Sequence, residues 1–220
     1  MVSTLVETAE PKPERIAFRF RLHPGEPPAW HALRVRTREG ISNPATFVVG
    51  VLPEKDEVEP NDLPADAKAI SYPVTVKGRL GAEDRDTFRF TSRKGERLVF
   101  EVEARRLGSA VSPTMLLLRA DGRELDLYEV AYGLEGDARI DHTFDADGEH
   151  FIQIRGLQIQ GAGDSDRRPD SYRLRVGSFP YAEVVLPVAT SSSPSRAVLS
   201  TSPSPHSCTS IRTHSSAGPT

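Results

Sequence analysis

Three observations predict an all-β protein. Apolar and polar residues alternate with period two through most of the 220-residue chain. Turn signals such as Asp121-Gly122 and Asp147-Gly148 separate short runs of this kind. No long stretch carries the 3.6-residue period of a helix, which disfavours α/β architectures. The expected fold is a jelly-roll-like antiparallel β-sandwich, with a short partial β module before it and a disordered C-terminal tail.

Residues 1–50 supply the partial module. Ile16, Phe18, Phe20 and Leu22 alternate with Ala17, Arg19 and Arg21. Leu33, Val35 and Thr37 alternate with Arg34, Arg36 and Arg38, and the turn from Arg38 to Ile41 leads into an apolar run ending at Gly50. So few strands make too small a core to stand alone. Residues 51–71 form an acidic connector, with Glu54, Asp56, Glu57, Glu59, Asp62 and Asp66 set against Lys55. Pro53, Pro60 and Pro64 stiffen it, and a short helix is expected from Asp62 or Pro64 to Lys68.

Residues 72–180 read as the sandwich. Val74, Val76 and Leu80 open it, and Phe88 with Phe90 and then Leu98, Phe100 and Val102 supply inward faces. The continuous run Met115–Leu118 fits a strand buried on both sides. Strands over Glu124–Tyr128, Ile140–Phe144 and His150–Arg155 follow, and Tyr172, Leu174 and Val176 close the domain.

Residues 181–220 break the pattern. Tyr181–Pro187 resembles the first strand of a further module that is then lost. Of the 32 residues from Ala189 to Thr220, 11 are Ser, 5 are Thr and four are Pro. Such a stretch buries too little apolar surface to offset the entropy of ordering it. It reads either as a natural linker or as the product of a reading frame that slips near Pro187.

Charge and cysteine usage narrow the function classes. Residues 1–188 carry 26 basic and 31 acidic side chains, a net charge of −5, because Arg196 and Arg212 are the tail's only charges. That gives no basic surplus for nucleic acid. No apolar run reaches the roughly 18 residues of a membrane span. The single cysteine, Cys208, lies in the tail, so no disulfide staples the body. Met1–Pro13 has acids at Glu7 and Glu10 and no apolar centre, so no signal peptide is expected in this chain, which reads as an internal piece of a longer protein.

The ordered segments Glu57-Val-Glu-Pro-Asn-Asp62, Gly78–Phe90, Lys94–Leu98, Leu118–Leu125, Asp147–Ile152 and Ser171–Leu174 together resemble the bacterial pre-peptidase C-terminal domain. The resemblance covers roughly residues 55–177. The preceding Gly40–Pro44 and Phe47–Gly50 look like the end of an immunoglobulin-like module, an arrangement similar to large exported proteins of planctomycete-type bacteria. The resemblance implies a non-catalytic accessory sandwich on a secreted, periplasmic or surface protein, often a peptidase. Its partners would be an extracellular polymer or a neighbouring domain of the same protein. An adhesion or polymer-binding module, and a fragment of a secreted peptidase, are the alternatives.

Calcium takes six to eight oxygen ligands. Glu57, Glu59, Asn61 and Asp62 place four oxygen-bearing side chains within six residues, and the first three share one side of an extended segment. Glu83, Asp84 and Asp86 could supply more from the following loop. By resemblance to calcium-binding relatives, Glu57, Glu59, Asn61, Asp62, Glu83 and Asp86 match ligand positions, with Glu83 standing where an aspartate occurs. A solvated acidic linker with Asn61 or Asp62 capping a helix is the competing reading.

Catalysis finds little in the sequence. No histidine pair has the spacing of a zinc protease, no Gly-x-Ser-x-Gly elbow occurs, and Asp141 and His142 point to opposite faces of a strand. Phe151, with Gln153, Arg155, Arg173 and Arg175, is expected on outward faces, and Trp30, Tyr128 and Tyr132 are further aromatic contacts to weigh.

Overall fold

The computed structural model describes residues 4–5, 19–20, 26–81, 83–128, 133–158, 170–179, 184–186, 197–200 and 210–211. The chain divides into two compact units, Met1–Val51 and Leu52–Thr220.

In the first unit β1 (Thr4–Leu5) pairs with β2 (Arg19–Phe20), and β3 (Ala29–Leu33) pairs with β4 (Ala45–Val49), both antiparallel. The β3–β4 ribbon extends to its tip, where Ser42 N donates to Val35 O and Thr37 N to Gly40 O, both at 2.8 Å. His31, Leu33 and Val35 are half-buried, while Ala32, Arg34 and Arg36 are exposed, the period of two read from the sequence. Ile16, Phe18 and Leu22 lie outside the described residues.

The second unit holds two five-stranded sheets. The front sheet runs β12 (Arg139–Thr143), β9 (Arg97–Glu103), β14 (Ser171–Gly177), β7 (Val74–Arg79), β5 (Glu54–Asp56). The back sheet runs β11 (Glu124–Tyr128), β10 (Val111–Arg119), β13 (Gly148–Gln158), β8 (Arg85–Ser92), β6 (Lys68–Ala69). Val76, Phe100, Val102, Leu174 and Val176 of the front sheet meet Phe88, Phe90, Met115, Leu117, Ile152 and Ile154 of the back in one apolar core. Phe90 and Phe100 pack across the sheets with ring centroids 5.3 Å apart.

The connector differs from expectation. Its strands belong to the sandwich, β5 pairing with β7 and β6 with β8, both parallel, so the sheets are mixed rather than wholly antiparallel. They occupy edges whose backbone groups would otherwise lack partners. Between them the expected helix is a turn over Leu63–Ala67, with Asp66 N donating to Leu63 O and Ala67 N to Pro64 O. A stretch this short cannot offset helix nucleation, and Lys68 is drawn into strand pairing.

Three side-chain expectations also change. Met115 and Leu117 enter the core, but Leu116 and Leu118 are half-buried on the outer face, so the run is not buried on both sides. Phe151 is only 7 % exposed and offers no aromatic contact. Arg173 and Arg175 do lie on the outer face of the front sheet, yet they cover buried Glu101 and Glu103 instead of facing a ligand. Arg173 Nη1 reaches Glu103 Oε2 at 2.7 Å, Arg139 Nη2 reaches Glu101 Oε2 at 2.7 Å, and Arg106 Nη2 reaches Glu101 Oε1 at 2.9 Å. Arg175 Nη1 sits 3.5 Å from Glu101 and stacks its guanidinium 4.4 Å from the Phe179 ring centroid.

β15 (Val184–Leu186) falls where the strand of a further module was expected, and it pairs antiparallel with β16 (Ala197–Ser200), which pairs antiparallel with β17 (Ser210–Ile211); the last two strands lie in the segment expected to be disordered. They are the islands of Val, Leu and Ile in a Ser/Thr background, the residues with strand preference. The other residues of that segment lie outside the described set, as does Tyr132.

Candidate functional site

The site forms where the connector meets the ends of β7, β8 and β14. Glu57 continues the parallel pairing of β5, its N–H donating to Lys77 O at 2.9 Å. This fixes its carboxylate, which accepts from Arg79 N at 2.7 Å and from the Tyr172 hydroxyl at 3.0 Å. Glu59 follows on the same side and accepts from Asn61 N at 2.9 Å. Asn61 is fully buried, and its carbonyl accepts from Thr87 N at 2.9 Å, which ties the connector to β8. Asp86, also fully buried, enters from β8.

Carboxylate oxygens of Glu57, Glu59 and Asp86 all lie within 4.8 Å of one another. Asp86 Oδ2 has no hydrogen-bond partner. The Asn61 amide faces the same point. With its nitrogen toward the carboxylates it donates to Glu59 Oε2 at 2.7 Å and to Asp86 Oδ1 at 3.1 Å. With its oxygen toward them, amide and carboxylate oxygens converge, and a cation is needed to hold them together.

The electrostatics follow from this crowding. Burial, then the adjoining Glu57 and Asp84 against the relief of the Tyr172 hydroxyl, pushes Asp86 up to about 8. Loss of solvation and the field of Asp84 raise Glu59, in spite of the Asn61 N–H. Burial and the charges of Asp86 and Glu57 raise the Tyr172 hydroxyl well above its ordinary value, so it stays a proton donor to the cluster.

Of the six residues expected as ligands, the structure brings Glu57, Glu59 and Asp86 together with Asn61 against them. The Asp62 side chain is exposed, and it is the Asp62 carbonyl that accepts from Thr87 Oγ1 at 3.1 Å. Glu83 is exposed on the loop, with a left-handed backbone at φ 62°. Asp84 is the loop acid whose field reaches Glu59 and Asp86, while its own oxygens accept from Gly81 N and Arg85 N at 2.9 Å. Tyr172 is the participant that sequence reasoning missed. It lies 115 positions from Glu57, and its place in an alternating strand signals only a core residue.

The donor set is all oxygen, carries several carboxylates and includes an orphaned buried oxygen. That chemistry fits a hard divalent cation of the size of calcium. Among the described residues this is the one grouping of acids, histidines or cysteines tight enough to hold an ion. No described helix is long and apolar enough to cross a membrane.

No family profile matches the chain. A probable subtilase-type serine protease of Deinococcus radiodurans is 31% identical over 135 residues, covering 60% of this chain and 18% of that protein. The chain thus spans less than a fifth of its curated relative. Among solved structures, the pre-peptidase C-terminal domain of a Bacillus anthracis collagenase aligns over 55% of this chain and all of its own, at 15% identity and TM-score 0.39. PliG of Aeromonas hydrophila, a periplasmic inhibitor of g-type lysozyme, aligns over 56% of this chain and 99% of its own, at 12% and 0.35. CorA of Methylomicrobium album BG8, a surface-associated copper-binding protein, aligns over 57% and 98%, at 8% and 0.36. The motifs quoted from the sequence resemble the pre-peptidase C-terminal domain, and the alignment with a subtilase-type protease is in keeping with that resemblance.

Proposed function

We propose that this chain is a non-catalytic accessory β-sandwich of an exported bacterial protein, and that calcium locks its acidic connector onto the sandwich. The convergence of Glu57, Glu59 and Asp86 within 4.8 Å, with Asp86 Oδ2 buried and unpartnered, carries the reading. These three carboxylates and the Asn61 amide oxygen would hold the ion, with carbonyls or water completing six to eight ligands. Bound calcium neutralises the repulsion that burial imposes on the carboxylates. The protein's own groups do the positioning: Tyr172 and Arg79 N orient Glu57, and Asn61 fastens the connector to β8. The 31% identity to a probable subtilase-type protease supports a parent that is a secreted peptidase with its catalytic domain elsewhere.

Thermal unfolding in millimolar calcium against chelator tests this. A site of about 10 μM affinity at 1 mM calcium adds roughly 2.7 kcal/mol, a rise in Tm of several degrees. Asp86→Asn should remove that rise while leaving the chelated protein at least as stable, since the cost of burying or protonating that carboxylate is gone. An unchanged Tm in wild type on adding calcium would rule the site out.

A further inference from the structure

The connector site leaves unused an exposed face in the first unit. On the β3–β4 ribbon, Trp30, Ala32, Arg34 and Arg36 all fall on the exposed side, and Arg38 stands at the hairpin tip. Trp30 is 44 % exposed. From Trp30 to Arg36 the strand advances about 20 Å, with alternate side chains about 6.7 Å apart. The guanidiniums of Arg34, Arg36 and Arg38 form no ion pair with any described carboxylate, in contrast to Arg106, Arg139 and Arg173 of the sandwich, which all do. Among the described residues these three arginines therefore stabilise no acid, and all three side chains are exposed.

We infer that this ribbon face binds an acidic polysaccharide, with the arginines pairing the carboxylates or sulfates along the chain and Trp30 stacking on a sugar ring. A guanidinium pairs planar anionic groups in a fork that a lysine cannot reproduce. A flat aromatic beside the row suits the apolar face of a sugar. A nucleic acid fits less well. Sequence-independent binders of single strands interleave several aromatics with a cationic groove, whereas this face offers one, and duplex binding at physiological salt draws on more phosphate contacts than three arginines make.

The test measures binding of the full chain to alginate (a polyuronate), heparin (a sulfated polymer), laminarin (a neutral glucan) and a single-stranded oligonucleotide, from 50 to 200 mM salt. Binding to one or both acidic polymers that weakens with salt, with none to laminarin, is the expected result, and the alginate and heparin arms tell carboxylate from sulfate. Replacing Arg34, Arg36 and Arg38 together by glutamine should weaken it at least about tenfold with an unchanged melting curve. Should the glutamine variant fail to fold, the same three positions as lysine decide: their charge is kept, and affinity should fall short of wild type through loss of the fork. Absence of binding, wild-type affinity in the folded glutamine or lysine variants, or preference for the oligonucleotide would overturn the inference.

Discussion

Gly78 is the residue on which the connector site most narrowly depends. A Cβ there would stand 2.3 Å from Glu57 Oε2 and 2.4 Å from both Cζ and the hydroxyl oxygen of Tyr172. Space, not backbone freedom, is what the missing side chain supplies. Gly78→Ala should therefore cost about 1–3 kcal/mol by overpacking, and it should erase the calcium-dependent rise in Tm, which paired melts would show. The connector's oxygen-bearing side chains were legible because Glu57, Glu59 and Asn61 alternate within five residues. Gly78 and Tyr172 were not, since close approach between strands leaves no local pattern. A second residue sets a pH response. His150, 3 % exposed, stacks against Phe90 and Phe144, and its Nδ1 lies 3.2 Å from Ser92 Oγ and 3.0 Å from Gly148 O. Burial lowers its pKa, with the nearby charges of Arg119 and His142 acting the same way against Asp145 and the Gly148 carbonyl. The unfolded chain then binds the proton more readily. Stability from this group is present above the ordinary value of 6.5 and is lost as pH falls below it. Asp86, raised to about 8, titrates with the opposite sign over the same range, so the His150 contribution is the difference between wild type and His150→Gln: in urea melts from pH 7.5 to 5 the wild type should lose stability relative to the variant.

At the scale of the element, β9 carries the arrangement with the largest penalty for disruption. Glu101 is 2 % exposed, and although burial opposes its charge, Arg106 and Arg139 hold it ionised, below the usual carboxylate range. Removing it takes a buried carboxylate away from Arg139 and from Arg106, which keeps Asp137. Glu101→Ala should cost about 3–5 kcal/mol, whereas exposed pairs such as Lys77 with Asp56 should contribute under about 1 kcal/mol when broken. Chemical denaturation of both variants compares them directly. The strand was legible from Leu98, Phe100 and Val102, but its outer face was not. A glutamate between apolar residues reads as solvated until Arg139 and Arg175 arrive from β12 and β14, strands that lie far along the chain. For the same reason β5 and β6 escaped notice: a Glu-Lys-Asp run has no strand signature, and its pairing is imposed by the free edge of β7.

For the whole molecule, the second unit begins at Leu52, close to the composition shift at residue 51. A protein beginning at residue 52 should keep one cooperative melt. One beginning at 72 loses β5, β6 and Asn61, exposes two bare edges and leaves Asp86 and Tyr172 facing an empty corner, so it should melt several degrees lower and bind an apolar dye. Alternation and turns made the sandwich legible as a class. The strand order was not, because it depends on which distant edges match. That order has a kinetic meaning. β14 lies between β7 and β9, and Ser171 pairs with Arg79 while Arg173 pairs with Glu103. During synthesis the front sheet is therefore left as two unjoined halves until residue 177 has emerged, and closure waits on contacts of high sequence separation, which are slow to form. Tyr172 arrives on that same last strand to meet Glu57 near the domain's start, so the proposed cation site is complete only in a chain that has finished folding.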